Sequence, residues 1–122
     1  MHHHHTIDYI EFTVRDMQAA QSFYGTAFGW RFTDYGPDYA GIQRHDGDGE
    51  VGGLRRDDEV TPGGALVVLF SEDLEASVRA VQAAGGKIVV EPFAFPGGRR
   101  FHFQDPSGNE LAVWGFDPDA PE

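Results

Sequence analysis

The chain has no cysteine. That excludes disulfide scaffolds and thiolate metal sites, and it fits a reducing, cytoplasmic setting. Positive charge is scarce: 9 Lys and Arg stand against 20 Asp and Glu, for a formal net charge of -11. A surface this acidic repels nucleic-acid backbones and anionic membranes, so neither is expected as a partner. It serves solubility and is compatible with a cationic ligand. No apolar run approaches the roughly 18 residues of a membrane-spanning helix. Outside His2 to His5 the only histidines are His45 and His102. Residues 1–6 read as an expression tag rather than a secretory signal and are set apart from the fold. His45 sits beside Asp46-Gly47-Asp48-Gly49, which is hairpin-turn chemistry rather than a metal cluster.

What is present is a core and a repeat. Hydrophobic residues make up 40% of 122 residues, enough for one domain. Residues 7–14 alternate, with Ile10, Phe12 and Val14 on one face and Tyr9, Glu11 and Thr13 on the other, which predicts a half-buried strand. Asp16 offers a helix N-cap, and Met17, Ala20, Phe23, Tyr24, Ala27 and Phe28 recur at helical spacing up to Gly29. Residues 30–33, 39–44 and 50–54 read as strands. Residues 55–64 are polar and rich in breakers, and read as a connection. Then the order returns: a strand over 65–71, a helix over 73–84 capped by Asp73 and closed by Gly85-Gly86, an extended stretch over 87–90, a loop over 92–98, and strands over 100–104 and 110–114. Residues 117–122 read as a loose acidic tail.

The two halves match at an offset of 57: Asp16 with Asp73, Met17 with Leu74, Gly29 with Gly86, Phe32 with Val89. The later strands match at about 60, Glu50 to Leu54 against Glu110 to Trp114. A repeat this long is no solenoid unit, and it is too short for a separate domain. The order is βαβββ twice, within one domain over 7–116 whose modules cover about 7–54 and 65–114.

On these residues the chain resembles the vicinal oxygen chelate superfamily, which includes glyoxalase I, bleomycin-resistance proteins, fosfomycin-modifying enzymes and extradiol dioxygenases. The matching motifs are Val14-Arg15-Asp16, Ser22-Phe23-Tyr24, Phe28-Gly29-Trp30, Ala83-Ala84-Gly85-Gly86 and Asp105-Pro106-Ser107-Gly108-Asn109-Glu110. Gly52-Gly53-Leu54 and Phe95-Pro96-Gly97-Gly98 are similar to its glyoxalase-like subgroup. The resemblance implies an α+β fold: two tandem βαβββ modules forming a cupped mixed sheet, with helices on the convex face. It also implies a homodimer and a small-molecule ligand in a cleft between modules. It does not imply one reaction, because a fold hosts many sites.

Metal-dependent relatives place four ligands on the first and last strands of each half. Carried onto this sequence, those positions are Tyr9, Gly52, Leu66 and Ala112. Glycine, leucine and alanine offer no lone pair and neutral tyrosine is a poor ligand, so no metal and no other cofactor is expected.

Parity puts Glu11 and His102 on the same sheet face as the aromatics, and these two are the candidate acid/base residues. Glu11 is either a base or cation-holding carboxylate, or one that is paired or solvated. His102 is either a proton shuttle or a cavity-wall histidine between Phe101 and Phe103. Tyr9, Thr13, Tyr39, Gln43, Phe70, Gln104 and Trp114 are candidate ligand-lining residues. Arg100, in a loop with Arg99, is a candidate carboxylate binder, and a solvated loop charge is the alternative. Three functions follow: a metal-independent binding protein of bleomycin-resistance type, an acid/base enzyme on a small oxygenated or aromatic metabolite, and, last, a glyoxalase I-type metalloenzyme.

Overall fold

The computed structural model describes residues 2–61 and 64–119. Its elements are β1 (Ile7–Val14), α1 (Met17–Phe28), β2 (Phe32–Asp34), β3 (Tyr39–Gln43), β4 (Glu50–Arg56), β5 (Leu66–Phe70), α2 (Leu74–Ala83), β6 (Lys87–Phe95), β7 (Gly98–Gln104) and β8 (Glu110–Gly115). This is the tandem βαβββ order, in an α+β chain. It divides into two compact units. One is Tyr9–Leu66. The other joins the described residues up to Asp8 with those from Val67 onward.

In the first unit the strands run β2-β3-β4-β1. β1 lies parallel to β4, and β3 is antiparallel to both β2 and β4. Ala40, Ile42 and Leu54 are buried on the side where β-sheet and helix meet. Asp16 caps α1 by accepting from the Ala19 amide at 3.0 Å, and Gly29 ends it at φ 74°. That φ is in the left-handed region, which glycine enters without a Cβ clash. Trp30 stacks flat on Tyr24, with centroids 4.7 Å apart. The apolar spacing of α1 predicts a covered stripe, yet no residue of α1 is buried. Phe23 and Phe28 stay largely exposed.

In the second unit the order is β5-β8-β7-β6, with β5 parallel to β8 and the other pairs antiparallel. Asp73 caps α2 through the Ala76 amide. Leu74, Phe101 and Val113 form the buried cluster, and Leu69, Val78, Val81, Ile88 and Phe103 pack around it. So the odd-numbered residues of β7 and β8 face α2, while Arg100, His102, Ala112 and Trp114 face away, as parity requires.

Three sequence expectations change. Residues 92–98 are not a loop: β6 continues to Phe95, and Phe95 pairs with Gly98. Pro92 is accommodated because β6 is the outer strand of its array and its register shifts between Val90 and Phe93, where a missing N–H breaks no ladder bond. The turn is only Pro96-Gly97, with Gly97 at φ 106°, the arrangement of a type II turn. Arg99 and Arg100 therefore lie in β7 and not in a closing loop. Arg99 makes two 3.0 Å hydrogen bonds to Glu75 of α2. Second, β4 runs on to Arg56, so Arg55 is a strand residue rather than part of the connection. Third, residues 2–6 pack on the second unit: the His5 amide donates to the Phe70 carbonyl, and the Phe70 amide to that of Thr6. Of the expected tail, Asp117 to Asp119 are described and 120–122 lie outside the described residues.

Candidate functional site

The first unit gathers Tyr9, Glu11, Thr13 and Tyr39 on one sheet face. Glu11 stands beside Gly53, and Gly53 beside Gly41; Thr13 stands beside Arg55, and Arg55 beside Tyr39. The glycines make the floor. A Cβ on Gly53 would run into the Tyr39 hydroxyl and lie 2.6 Å from that of Tyr9; a Cβ on Gly41 would run into the Glu50 carboxylate. Both tyrosines therefore lie down over Gly53. Their hydroxyls meet at 2.6 Å, and Tyr39 donates to Glu11 Oε1 at 3.0 Å. Because the Tyr39 proton goes to Glu11, Tyr9 is the donor to Tyr39. The Tyr9 oxygen is thus an acceptor at the head of a relay.

Glu11 is 6% exposed. Arg55 Nε stands 3.7 Å from Glu11 Oε2, and the same guanidinium reaches Thr13 Oγ1 at 3.4 Å and Asp57 Oδ2 at 3.1 Å. Asp57 is held below the usual carboxylate range by the Glu59 amide and by Arg55. Burial pushes the Tyr9 phenol up to about 12, with the charges of Glu50 and Glu11 adding to it against the Tyr39 hydrogen bond. Burial, then the Glu11 charge, raises Tyr39 well beyond the ordinary phenol range. Both are neutral hydrogen-bonding groups at neutral pH. Beside them Tyr35 donates to Glu50 Oε2 at 2.6 Å. Gln43 stands apart: its amide ties the Phe32 carbonyl and Thr33 Oγ1, bracing β2 on β3.

The second unit holds the other candidates. His102 Nδ1 lies 2.9 Å from Glu110 Oε2, a carboxylate that fixes the ring and leaves Nε2 for other work. Phe93 lies 6.1 Å from the His102 ring, and the Arg100 guanidinium sits 5.6 Å over Phe93. Phe70 and Trp114 meet edge to face at 5.1 Å, and the Trp114 indole donates to Asp8 Oδ2 at 2.9 Å. Gln104 ends β7 opposite Glu110.

Sequence reasoning missed Arg55, Glu50, Tyr35, Asp8 and Glu110 as partners. Arg55 was legible, since extending the β4 alternation from Gly53 puts it on the same face. Glu50 was not, because a register irregularity at Ile42 and Gln43 redirects the strand there. The same irregularity corrects one metal position. Glu11 stands beside Gly53 and its repeat partner Val68 beside Ala112, so Gly53, not Gly52, is the counterpart of Ala112. Gly52 faces Ile10 and Ile42. The positions become Tyr9, Gly53, Leu66 and Ala112, and three of the four still carry no donor atom. These residues do not fit the divalent metal of metal-dependent relatives. Among the described residues no three His, Cys, Asp or Glu side chains are grouped to hold a metal.

Two βαβββ modules, one after the other, define a paired-module class of protein. A profile of the Glyoxalase/Bleomycin resistance protein/Dioxygenase superfamily matches residues 6–113. The chain belongs to that superfamily. It is 29% identical over 117 residues to the anthracycline biosynthesis protein DnrV of Streptomyces peucetius, covering 81% of this chain and 42% of that protein. The chain thus spans about two-fifths of that relative's length. It is 28% identical over 126 residues to a glyoxylase-like domain-containing protein of Didymella fabae, covering 90% and 93% of the two. Among solved structures, the Mn(II)-bound glyoxalase of Novosphingobium aromaticivorans superposes with a TM-score of 0.70 at 26% identity, covering 94% of this chain and 40% of that one. No helix among the described residues is long and apolar enough to cross a membrane.

Proposed function

We propose that this protein binds a small organic molecule on the tyrosine-lined sheet face and does so without the divalent metal of its metal-dependent relatives. The observation that carries the reading is the glycine-floored relay of Tyr9, Tyr39 and Glu11. Glu11 is already engaged by Tyr39 and Arg55, so its carboxylate is an anchor for the tyrosines more than a free base. The relay presents the Tyr9 oxygen to a ligand N–H or O–H, and the flat phenol rings suit an aromatic or apolar body. Thr13 lies within the same cluster.

A second reading rests on the His102–Glu110 pair. An imidazole held by a carboxylate is the arrangement of a general base, and Arg100 on the same strand face would hold an anionic substrate group. Phe70, Trp114 and Gln104 would complete that wall.

Binding of a broad small-molecule panel, followed by calorimetry without added metal, tests the first reading. Ligands that bind the parent protein should lose at least about tenfold in affinity with Tyr39→Phe, which removes both hydrogen bonds of the Tyr39 hydroxyl, and remain unchanged after chelator treatment. Failure of every compound, or stoichiometric metal in protein lacking His2 to His5, would overturn it. The enzyme reading fails if Glu11→Gln and His102→Ala both leave turnover of a bound compound unchanged.

The exposed Phe23, Phe28 and Trp30 form an aromatic patch on the first unit. Patches of this kind mark interfaces, and they support a homodimer. Sedimentation of the parent and of a Phe23→Ser/Phe28→Ser variant tests this, with a monomeric parent as the refuting result.

A further inference from the structure

The second unit contains a corner in which Phe116, Asp8 and His2, unused by the readings above, gather around Phe70 and Trp114. Phe70, Trp114 and Phe116 pack mutually, at centroid separations of 5.1, 4.9 and 5.6 Å. Asp8 stands at their edge, its side chain 12% exposed, with Oδ2 held by the Trp114 indole. His2 occupies this corner. Its ring stacks on Phe70 at 5.1 Å and 24°, meets Trp114 edge-on at 5.0 Å and 89°, and meets Phe116 at 5.8 Å and 68°. Its Nδ1 lies 2.8 Å from Asp8 Oδ1. The segment is pinned behind it: His4 Nδ1 accepts from the Glu72 amide, and His5 Nε2 bonds Ser77 Oγ.

Each element of this corner addresses a flat, positively charged nitrogen heterocycle. A phenyl face stacks on the ring, an indole face and a second phenyl close its sides, and a carboxylate with one oxygen already fixed by Trp114 offers the other to a ring N–H. Aromatic faces attract cations most strongly when water is kept away, and a carboxylate paired to a charged N–H gives a short, strong bond. The imidazole of His2 has the shape and the donor that the corner fits. The chain-wide excess of negative charge also favours a cationic ligand.

We propose that Phe70, Trp114, Phe116 and Asp8 form a binding site for small cationic nitrogen heterocycles, and that His2, in the segment 1–6 that reads as an expression tag, fills it as a tethered competitor. A tethered group acts at a local concentration in the millimolar range, so a weak free ligand is excluded until the tether is removed. The site shares no residue with the Tyr9–Tyr39–Glu11 relay, and either can fail alone.

Calorimetric titration with 4-aminopyridinium, a flat cation with N–H donors at neutral pH, tests the site in the full chain. His2→Ala should bind it at least about tenfold more tightly than the parent, as removal of a tethered competitor requires. Adding Asp8→Asn to His2→Ala should cost about tenfold or more, the loss of a charge-assisted bond. Aniline, similar in shape but neutral, should bind His2→Ala much more weakly than the cation, and this comparison stands even where Asp8→Asn disturbs folding. Equal affinity of parent and His2→Ala, or equal affinity of aniline and 4-aminopyridinium for His2→Ala, would overturn the proposal.

Discussion

Removing the Tyr39 hydroxyl is the sharpest perturbation of the relay. In Tyr39→Phe the ring keeps its place over Gly53, so little packing is lost. What goes is one hydroxyl with two partners. Glu11, 6% exposed, loses its 3.0 Å donor, and the Tyr9 hydroxyl loses the acceptor 2.6 Å away. A hydrogen bond to a charged group contributes roughly 1.5–3 kcal/mol, and a neutral one about 1. Arg55 remains near Glu11, but it is 44% exposed and 3.7 Å away, so solvent screens it and it compensates only in part. The expected cost is about 2–3 kcal/mol at pH 7, or roughly 6–15 °C in Tm for a domain of this size. Urea unfolding followed by circular dichroism measures it. Glu11→Gln in a double-mutant cycle should show a coupling of about 1–2 kcal/mol, because Gln accepts the same bond without charge. A Tyr39→Phe cost below about 0.5 kcal/mol, or no coupling to Glu11→Gln, would refute the relay.

The phenols also predict an alkaline signature. Tyr9 is raised to about 12 and Tyr39 further, so the folded state keeps protons that the unfolded chain sheds near 10. Stability should be flat below pH 10 and fall as pH rises from 10 through 12, with two late phenolate steps near 295 nm that vanish in Tyr9→Phe and Tyr39→Phe. Phe101→Ala, at a fully buried position in the α2 cluster, should cost about 3–5 kcal/mol in urea unfolding. Asp16→Ala and Asp73→Ala each remove a cap bond at 3.0–3.1 Å and should cost about 1 kcal/mol each. Equal stability of the parent and either cap variant would contradict the assigned helix starts.

The fold was legible because its signals are local. Alternation in residues 7–14, aspartate caps at 16 and 73, and glycines at 29 and 85 each depend on near neighbours along the chain. The face assignments were legible for the same reason: Phe101 and Val113 turn to α2, and His102 and Trp114 turn away. Residues 92–98 misled because proline and glycine signal a break, while whether a break stops a strand depends on which strand lies beside it. Gly52 misled because a register irregularity inserts a residue between partners that sequence offsets count as aligned.

The sequence by itself determined the doubled βαβββ order, the helix ends and the polarity of each strand face. All of these follow from residue type and short-range periodicity. Only the tertiary structure decided which groups meet: Tyr39 over Gly53 onto Glu11, Arg55 beside that carboxylate, Glu110 on His102, and His2 among Phe70, Trp114 and Asp8. Those pairings depend on strand register and on side chains reaching across neighbouring strands, and register is a property of the assembled sheet rather than of any one segment.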